Sequence, residues 1–126
     1  MKQFPHHHQA VMPYFILEGA FQFIDFIKYV FQAKEVYLAK RDDTTVMHAE
    51  YQIGRSNLML CDSTEQWRPQ SCSLFVYVDN ADETVRKALE QGSTVLMEVS
   101  DQSYGRSGGV IDPFGNVWWI NSLQSK

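Results

Sequence analysis

Hydrophobic and polar positions follow patterns that recur in the same order in both halves of the chain. In the first half, the apolar stretch "VMPYFIL" at residues 11–17 predicts a short strand. The next apolar positions recur at helical spacing and predict an amphipathic helix: Phe23, Phe26, Ile27 and Val30, with Phe31 beside them. The stretches "EVYLAK", "TVMHAEYQIG" and "NLMLCD" then predict three strands, so residues 11–62 have the order β-α-β-β-β.

The second half, residues 71–122, repeats this order. "CSLFVYVD" predicts a strand, and "NADETVRKALEQG" predicts a helix with Asn80 as its N-cap and Gly92 as its C-cap. Strands are predicted for "STVLMEV", "GVID" and "NVWWINS". The Gly-rich stretch "SDQSYGRSGG" between them is interpreted as a mobile loop, either a lid or an exposed connector.

Two copies of one unit favour a single domain, because neither copy has enough apolar surface for a core of its own. We expect an α+β fold in which two βαβββ modules, about residues 11–62 and 71–122, form an open, curved mixed sheet (a half-barrel) around a cleft. The domain is expected to span residues 11–126, with residues 1–10 as a flexible tail. Trp118 and Trp119 are adjacent in the last strand, so they should point to opposite faces.

Composition and charge exclude several classes of partner. The chain has 126 residues and a formal net charge of −4, which argues against binding to nucleic acid or an anionic membrane. No apolar run approaches the length of a membrane span. Cys61 and Cys72 lack metal-site spacing and favour reduced thiols and a cytoplasmic location. The run His6–His8 is assigned no function, and whether it is native stays open.

The paired units, ending in "DPFGNVWWI", resemble the vicinal-oxygen-chelate superfamily, the glyoxalase / bleomycin-resistance / extradiol-dioxygenase group. Within that group the chain resembles the PhnB-like branch through "MPYFIL", "VMHAEYQIGRSNLMLCD", "SLFVYVDNADETVRKALEQG" and "YGRSGGVIDPFGNVWWI". The resemblance implies a small-molecule partner bound in the cleft and a homodimer. The chain departs from the branch at Gly109 and Ile111, where basic residues are usual.

The resemblance also implies four metal-ligand positions, typically His and Glu, on the first and last strands of each unit. They fall near Met12, Met59, Ser73 and Trp119, with Leu60 or Leu74 as alternatives for the middle two. Thioether, hydroxyl and indole groups are poor ligands for a divalent cation. We therefore expect no metal site of the superfamily type and no cofactor.

With a superfamily-type metal site set aside, candidate polar functional side chains remain at two places in the chain. His48 and Glu50 are two residues apart on one strand and share a face. They are either part of a solvated sheet face or a pair at the cleft, in which Glu50 orients His48 as a general base. Tyr104, in the Gly-rich stretch, offers a ring and a hydroxyl group to a ligand.

The predicted function is metal-independent binding of an apolar or aromatic organic molecule in the cleft. The alternative is a metal-independent isomerase or lyase that uses His48 and Glu50, or Tyr104, as acid and base. A metal-dependent glyoxalase or dioxygenase would need ligands that the strands lack. Trp119 is expected to face the cleft, and Trp118 to lie beneath a helix. The expected ligand-binding residues are Met12, Tyr14, His48, Glu50, Met59, Ser73, Phe75, Tyr104 and Trp119.

Overall fold

The computed structural model describes residues 3–123 of the chain. Within these residues the elements, in order, are β1 (Tyr14–Leu17), α1 (Ala20–Phe31), β2 (Lys34–Lys40), β3 (Val46–Ile53), β4 (Ser56–Asp62), β5 (Ser73–Tyr77), α2 (Ala81–Glu90), β6 (Thr94–Gln102), β7 (Gly105–Ile111) and β8 (Val117–Ser122). The predicted β-α-β-β-β order of each half is confirmed.

The strands form two four-stranded sheets with the same topology, β1-β4-β3-β2 and β5-β8-β7-β6. In each sheet the first and last strands of the module pair in parallel, and the other neighbours are antiparallel. The predicted α+β class with two βαβββ modules and curved mixed sheets is therefore confirmed. The chain forms two compact units, the first extending to Gln70 without Tyr29–Phe31, and the second comprising Tyr29–Phe31 and the chain from Ser71.

In the first unit, alternate side chains of β1, β3 and β4 point into the core. Phe15 of β1 is fully buried and its ring lies 4.9 Å from that of Phe23 in α1. Leu60 of β4 and Ala49 of β3 are register partners on the same buried face. The alternate positions of these strands form the opposite face, which holds the polar and partly exposed groups described below.

The start of α1 depends on a residue that is distant in sequence. Gly19 occupies the N-cap in a left-handed conformation, with φ of 82°, and has no side chain to accept a hydrogen bond. The buried carboxylate of Asp62, at the end of β4, accepts hydrogen bonds from the backbone N–H groups of Gly19 (3.0 Å) and Ala20 (3.1 Å). Its second oxygen accepts from the N–H of Val46 at the start of β3, at 2.6 Å. One carboxylate therefore joins α1, β3 and β4.

The second unit begins its helix differently. The side chain of Asn80 accepts a hydrogen bond from the N–H of Glu83 at 3.1 Å, as predicted for an N-cap. Gly92, just after the helix, adopts φ of 99°, the left-handed conformation expected of a C-terminal glycine. Ser122, at the end of β8, supplies one further acceptor, for the N–H of Ala81 at 3.0 Å.

The turn "DPFG" is organised by Asp112. This buried carboxylate accepts hydrogen bonds from the N–H groups of Phe114 (2.8 Å) and Asn116 (2.9 Å). Its other oxygen accepts from the indole Nε1–H of Trp118 at 2.8 Å. Trp118 is 1% exposed and lies on the sheet face that α2 covers, together with Ile120. The predicted burial of Trp118 beneath a helix is confirmed.

The interpretation of "SDQSYGRSGG" as a mobile loop is wrong. β6 continues to Gln102, a two-residue turn follows at Ser103–Tyr104, and the glycines lie inside β7. Glycine occurs there because the neighbouring side chains are close: a Cβ on Gly108 would lie 2.7 Å from Cγ2 of Val99. The Gly-rich composition thus reflects close packing in a hairpin rather than flexibility.

The sequence predicts no membrane-spanning segment, and the two helices of the structure can be compared with that prediction. Across residues 3–123, neither helix has the length and apolar character needed to cross a membrane.

Replacement of Asp62 by alanine should strongly destabilise the first unit. It leaves three backbone N–H groups without their acceptor, and each buried unpaired donor costs about 1–3 kcal/mol, so we expect a loss of about 3 kcal/mol or more. Urea unfolding followed by circular dichroism measures the loss.

Ser122→Ala is the matched control, because it removes the acceptor of one N–H group at the equivalent strand end; we expect a loss of about 1 kcal/mol. Equal losses for the two variants would show that the Asp62 carboxylate is not the main anchor of α1.

Candidate functional site

The open face of the first sheet brings together four of the sequence-predicted residues: Tyr14, His48, Glu50 and Met59. The strand register places Tyr14 of β1 beside Met59 of β4, and Met59 beside Glu50 of β3. Tyr37 of β2 is the partner of Glu50 on its other side. Since cross-strand partners point to the same face, the side chains of these register partners form a continuous row across the sheet.

His48 lies beside this row on the same face of β3, two residues before Glu50, and connects two of the row's members. Its Nε2 is 3.4 Å from Oε2 of Glu50, and its Nδ1 is 3.1 Å from the hydroxyl oxygen of Tyr14. A carboxylate only accepts, so in the neutral imidazole Nε2 carries the proton and Nδ1 accepts from the Tyr14 hydroxyl. The result is a hydrogen-bonded chain from Tyr14 through His48 to Glu50.

The environment fixes the protonation of both ends of this chain. Burial raises the pKa of the Tyr14 hydroxyl above its ordinary value, so the group remains a donor at neutral pH. Burial also acts to raise the pKa of Glu50, but hydrogen bonds from His8 and His48 outweigh it and hold the pKa of this carboxyl below its ordinary value. Glu50 is therefore ionised at neutral pH.

Residues from the N-terminal segment contact the same row. Nε2 of His8 is hydrogen-bonded to Oε1 of Glu50, and Nε2 of His7 lies 3.7 Å from that oxygen. The side chain of Gln9 donates to the backbone carbonyl of Asn57 at 2.8 Å and accepts from its N–H at 3.2 Å. The sequence analysis assigned no function to the histidine run and did not predict these contacts. Adjacent histidines outside any strand or helix show no periodicity from which their neighbours could be predicted.

A pocket of about 480 Å³ opens beside Tyr14, at one end of this row. Its lining residues are Tyr14, Ile16, Arg41, Met47, Cys61, Asp62 and Trp67. Of these, the sequence argument identified only Tyr14. The others were missed because they come from strand ends and from the polar link after β4, where periodicity carries little information; a tryptophan in that otherwise polar link was the available signal.

Trp67 is placed at the pocket by the fold of the link. The link turns at Thr64, whose N–H donates to the Trp67 carbonyl at 2.8 Å and whose hydroxyl oxygen accepts from the Trp67 N–H at 2.9 Å. It then returns along β1, where the Gln70 N–H donates to the Ile16 carbonyl at 2.9 Å. The Trp67 side chain is left 60% exposed at the pocket rim.

The ionisable groups of the pocket differ in whether they can bind a charged ligand. Both oxygens of Asp62 accept the backbone bonds already described. Nη2 of Arg41 donates to the backbone carbonyl of Asp62 at 3.3 Å, which uses one of the five N–H donors of a guanidinium group. Burial raises the pKa of the Cys61 thiol, so this group is not a thiolate at neutral pH. Arg41 is therefore the pocket's available charge.

In the second unit, the predicted residues share one sheet face. Trp119 of β8 donates its indole N–H to Oγ of Ser73 in β5 at 3.1 Å, and Phe75 is the register partner of Trp119. The ring of Tyr104, in the β6–β7 turn, lies 6.3 Å from that of Phe75. Phe75 and Tyr104 are both half-exposed. These side chains therefore share one face of the second sheet, opposite Trp118.

The four superfamily ligand positions do not fit a divalent cation. Met12 lies before β1, and the register brings Tyr14 rather than Met12 beside Met59. In the second unit the Ser73 hydroxyl oxygen accepts the Trp119 N–H, and an indole nitrogen has no lone pair to give a metal. We derive no metal chemistry from these positions.

Solved structures share this fold. A PhnB protein from Bacillus cereus superimposes with a TM-score of 0.75 at 22% identity, over 91% of this chain and 100% of that one. A glyoxalase/bleomycin resistance protein/dioxygenase family enzyme from Burkholderia phytofirmans gives 0.67 at 18% identity, over 88% and 95%. The fosfomycin resistance protein FosX from Listeria monocytogenes, in complex with Mn(II) and sulfate, gives 0.69 at 14% identity, over 92% and 90%. The chain therefore has the fold of the vicinal-oxygen-chelate superfamily, which confirms the resemblance.

Sequence comparison identifies closer relatives. The uncharacterized protein Mb0911c of Mycobacterium bovis is 30% identical over 125 residues, covering 86% of this chain and 80% of the relative. The uncharacterized protein Rv0887c of Mycobacterium tuberculosis has the same identity, with 71% of its length covered. The chain belongs to the family of these mycobacterial proteins. No protein-family model matches the chain.

The position of the Trp119 ring depends on the absence of a side chain at the neighbouring Gly109. Gly109 of β7 is its register partner, and a Cβ at Gly109 would lie 2.9 Å from Cε3 and Cζ3 of the indole. Gly109→Ala should therefore displace the ring and cost about 1–3 kcal/mol of stability, measured by urea unfolding.

A double-mutant cycle with Trp119→Ala tests the cause, because removal of the ring leaves the added methyl group without a clash. We expect Gly109→Ala to cost less than about 0.5 kcal/mol in the Trp119→Ala background. The same cost in both backgrounds would contradict the assignment.

Proposed function

We propose that the chain is a small-molecule-binding protein that captures an apolar or aromatic organic ligand, without a metal ion at the superfamily's ligand positions. The observation that carries this proposal is the pocket of about 480 Å³ in the first unit. Its volume is within the range of sites that bind small organic ligands. The homodimer and the cytoplasmic location expected from the sequence remain predictions.

The pocket lining supports a flat ligand with an acidic group. Trp67 and Tyr14 offer aromatic faces, and Ile16 and Met47 add apolar surface. Arg41 supplies the available positive charge, since the Asp62 carboxylate is already bonded to backbone N–H groups. A guanidinium group with free donors recognises a carboxylate well.

The comparison structures support ligand capture, because two of them carry resistance to a small molecule in their printed names. FosX from Listeria monocytogenes is a resistance protein solved with Mn(II). This chain presents Met59, Ser73 and Trp119 where the resemblance places ligands, so Mn(II) chemistry of that kind is not carried over. The proposal therefore takes from these structures only the binding of a small molecule by this fold.

Binding of naphthoate, an aromatic carboxylate, tests the pocket by calorimetry and by tryptophan fluorescence. Arg41→Gln should weaken naphthoate binding about 10- to 100-fold, because a hydrogen bond to a charged group contributes about 1.5–3 kcal/mol. Neutral naphthalenemethanol should bind both forms with similar affinity. Trp67→Ala should weaken both ligands.

The matched control is Arg55→Gln, which removes an exposed charge from the β3–β4 turn of the same unit. Naphthoate affinity should change less than about twofold, since a distant exposed charge is screened. An equal effect of Arg41→Gln and Arg55→Gln, or binding that ignores Trp67→Ala, would place the ligand elsewhere.

The chain from Tyr14 through His48 to Glu50 favours a second candidate function, a metal-independent isomerase or lyase. An ionised Glu50 that faces the Nε2–H of His48 leaves Nδ1 as the basic atom, and a substrate that displaces the Tyr14 hydroxyl from Nδ1 would meet a general base there. Tyr104, the other candidate acid or base, lies in an exposed turn of the second unit.

Phenylpyruvate tests acid–base chemistry, because it is an aromatic carboxylate with exchangeable C–H protons. NMR in deuterium oxide follows their exchange. An enzyme should accelerate it, and His48→Ala should lower the rate about 100-fold or more while naphthoate affinity is retained. If the unmodified protein does not raise the exchange rate above the uncatalysed rate, the enzyme proposal is wrong, and ligand binding is the function that remains.

A further inference from the structure

We infer that His7, His8 and Glu50 form a binding site for a divalent transition-metal ion such as Zn²⁺, which ties the N-terminal segment to the first sheet. The three residues come from outside the superfamily's four ligand positions, and none of them lines the pocket. The inference therefore does not rest on the proposed function.

The geometry brings three ligand atoms to one point. One nitrogen of His7, one nitrogen of His8 and one oxygen of Glu50 all lie within 4.8 Å of one another. The Nε2 atoms of both histidines approach the same carboxylate oxygen, Oε1. Ligands of a tetrahedral Zn²⁺ are about 3.3 Å apart, given bonds of about 2.0–2.1 Å, so small side-chain rotations complete the site.

The backbone holds the two histidines in place without any metal. A turn is closed by the hydrogen bond from the His8 N–H to the Pro5 carbonyl, at 2.9 Å. On the C-terminal side, Gln9 is hydrogen-bonded to the backbone and side chain of Asn57 in β4. His7 and His8 are therefore presented to Glu50 by anchors on both sides, which lowers the entropy cost of assembling a site.

The chemistry of the donor set selects the class of ion. Two imidazole nitrogens and one carboxylate oxygen form the ligand set of many zinc sites that keep a fourth position open. Imidazole favours Zn²⁺, Cu²⁺ and Ni²⁺ over Mg²⁺ and Ca²⁺, which prefer oxygen ligands. The Glu50 side chain is 12% exposed and that of His8 is 16% exposed, whereas His7 is 36% exposed and leaves one side open to solvent.

An outer shell is already present around Glu50. Its second oxygen, Oε2, faces Nε2 of His48 at 3.4 Å, and His48 is held in turn by the Tyr14 hydroxyl. Partners of this kind orient a carboxylate ligand and tune its affinity for metal. His48 is thus a positioning residue for this site.

A specific site at His7, His8 and Glu50 can be distinguished from nonspecific binding of metal to the run of three histidines. His6 belongs to the same run, but it is exposed and is not among the three clustered residues. If the run alone bound metal, all three histidines would contribute alike and Glu50 would not matter.

The test is Zn²⁺ titration of the full chain by calorimetry, after treatment with a chelator, with metal content measured by mass spectrometry. We expect one Zn²⁺ per chain. Glu50→Gln and His8→Ala should each weaken Zn²⁺ binding more than about 100-fold, a larger loss than the 10- to 100-fold expected for the outer-shell variant His48→Ala. His6→Ala is the matched control and should stay within about twofold of the unmodified chain.

Co²⁺ gives a second readout, because its visible absorption reports tetrahedral coordination. The band should be present in the unmodified chain and in His6→Ala, and absent in His8→Ala, which replaces a partly exposed side chain outside the sheets. The inference is overturned if no stoichiometric Zn²⁺ binds, if Glu50→Gln retains full affinity while folded, or if His6→Ala loses as much affinity as His8→Ala.

Discussion

The first unit depends on the buried carboxylate of Asp62. Gly19 gives α1 no side-chain cap, so the first N–H groups of the helix must find an acceptor elsewhere. Asp62 supplies it from the end of β4 and accepts from the start of β3 as well. A negative charge at a helix N-terminus is also favourable electrostatically. The second unit distributes the same task over Asn80 and the neutral hydroxyl of Ser122.

The same carboxylate decides the chemistry of the pocket. Asp62 is one of the lining residues, but its oxygens are committed to the backbone. Arg41 lies beside it through the Asp62 carbonyl, and among residues 3–123 no carboxylate forms a side-chain ion pair with its guanidinium group. The pocket therefore combines aromatic walls with an available cation, and this combination follows from how the fold starts α1.

Elements with strong periodicity could be predicted from the sequence. The sequence correctly predicts both helices, their order among the strands and the N-cap at Asn80. Each of these features depends on the spacing of apolar residues or on local capping residues. The opposite faces of Trp118 and Trp119 follow from strand alternation.

The parts that escaped prediction depend on contacts between residues distant in sequence. Gly108 and Gly109 signal a loop by composition, yet they make room for Val99 and Trp119 in a hairpin. The pocket draws Trp67 from a polar link whose course is fixed by a bond to Ile16. His8 meets Glu50 across 42 positions of the chain, a separation over which composition and periodicity carry no information.

The pocket and the histidine cluster share one hydrogen-bonded chain. Tyr14 lines the pocket, its hydroxyl is bonded to His48, and His48 is bonded to Glu50, which contacts His8. A ligand that engages the Tyr14 hydroxyl acts on the tautomer of His48, and a cation on Glu50 acts on the same imidazole from the other end. Coupling between two binding events is reciprocal, so if a cation at Glu50 changed the affinity for a ligand bonded to the Tyr14 hydroxyl, that ligand would change the affinity for the cation by the same factor.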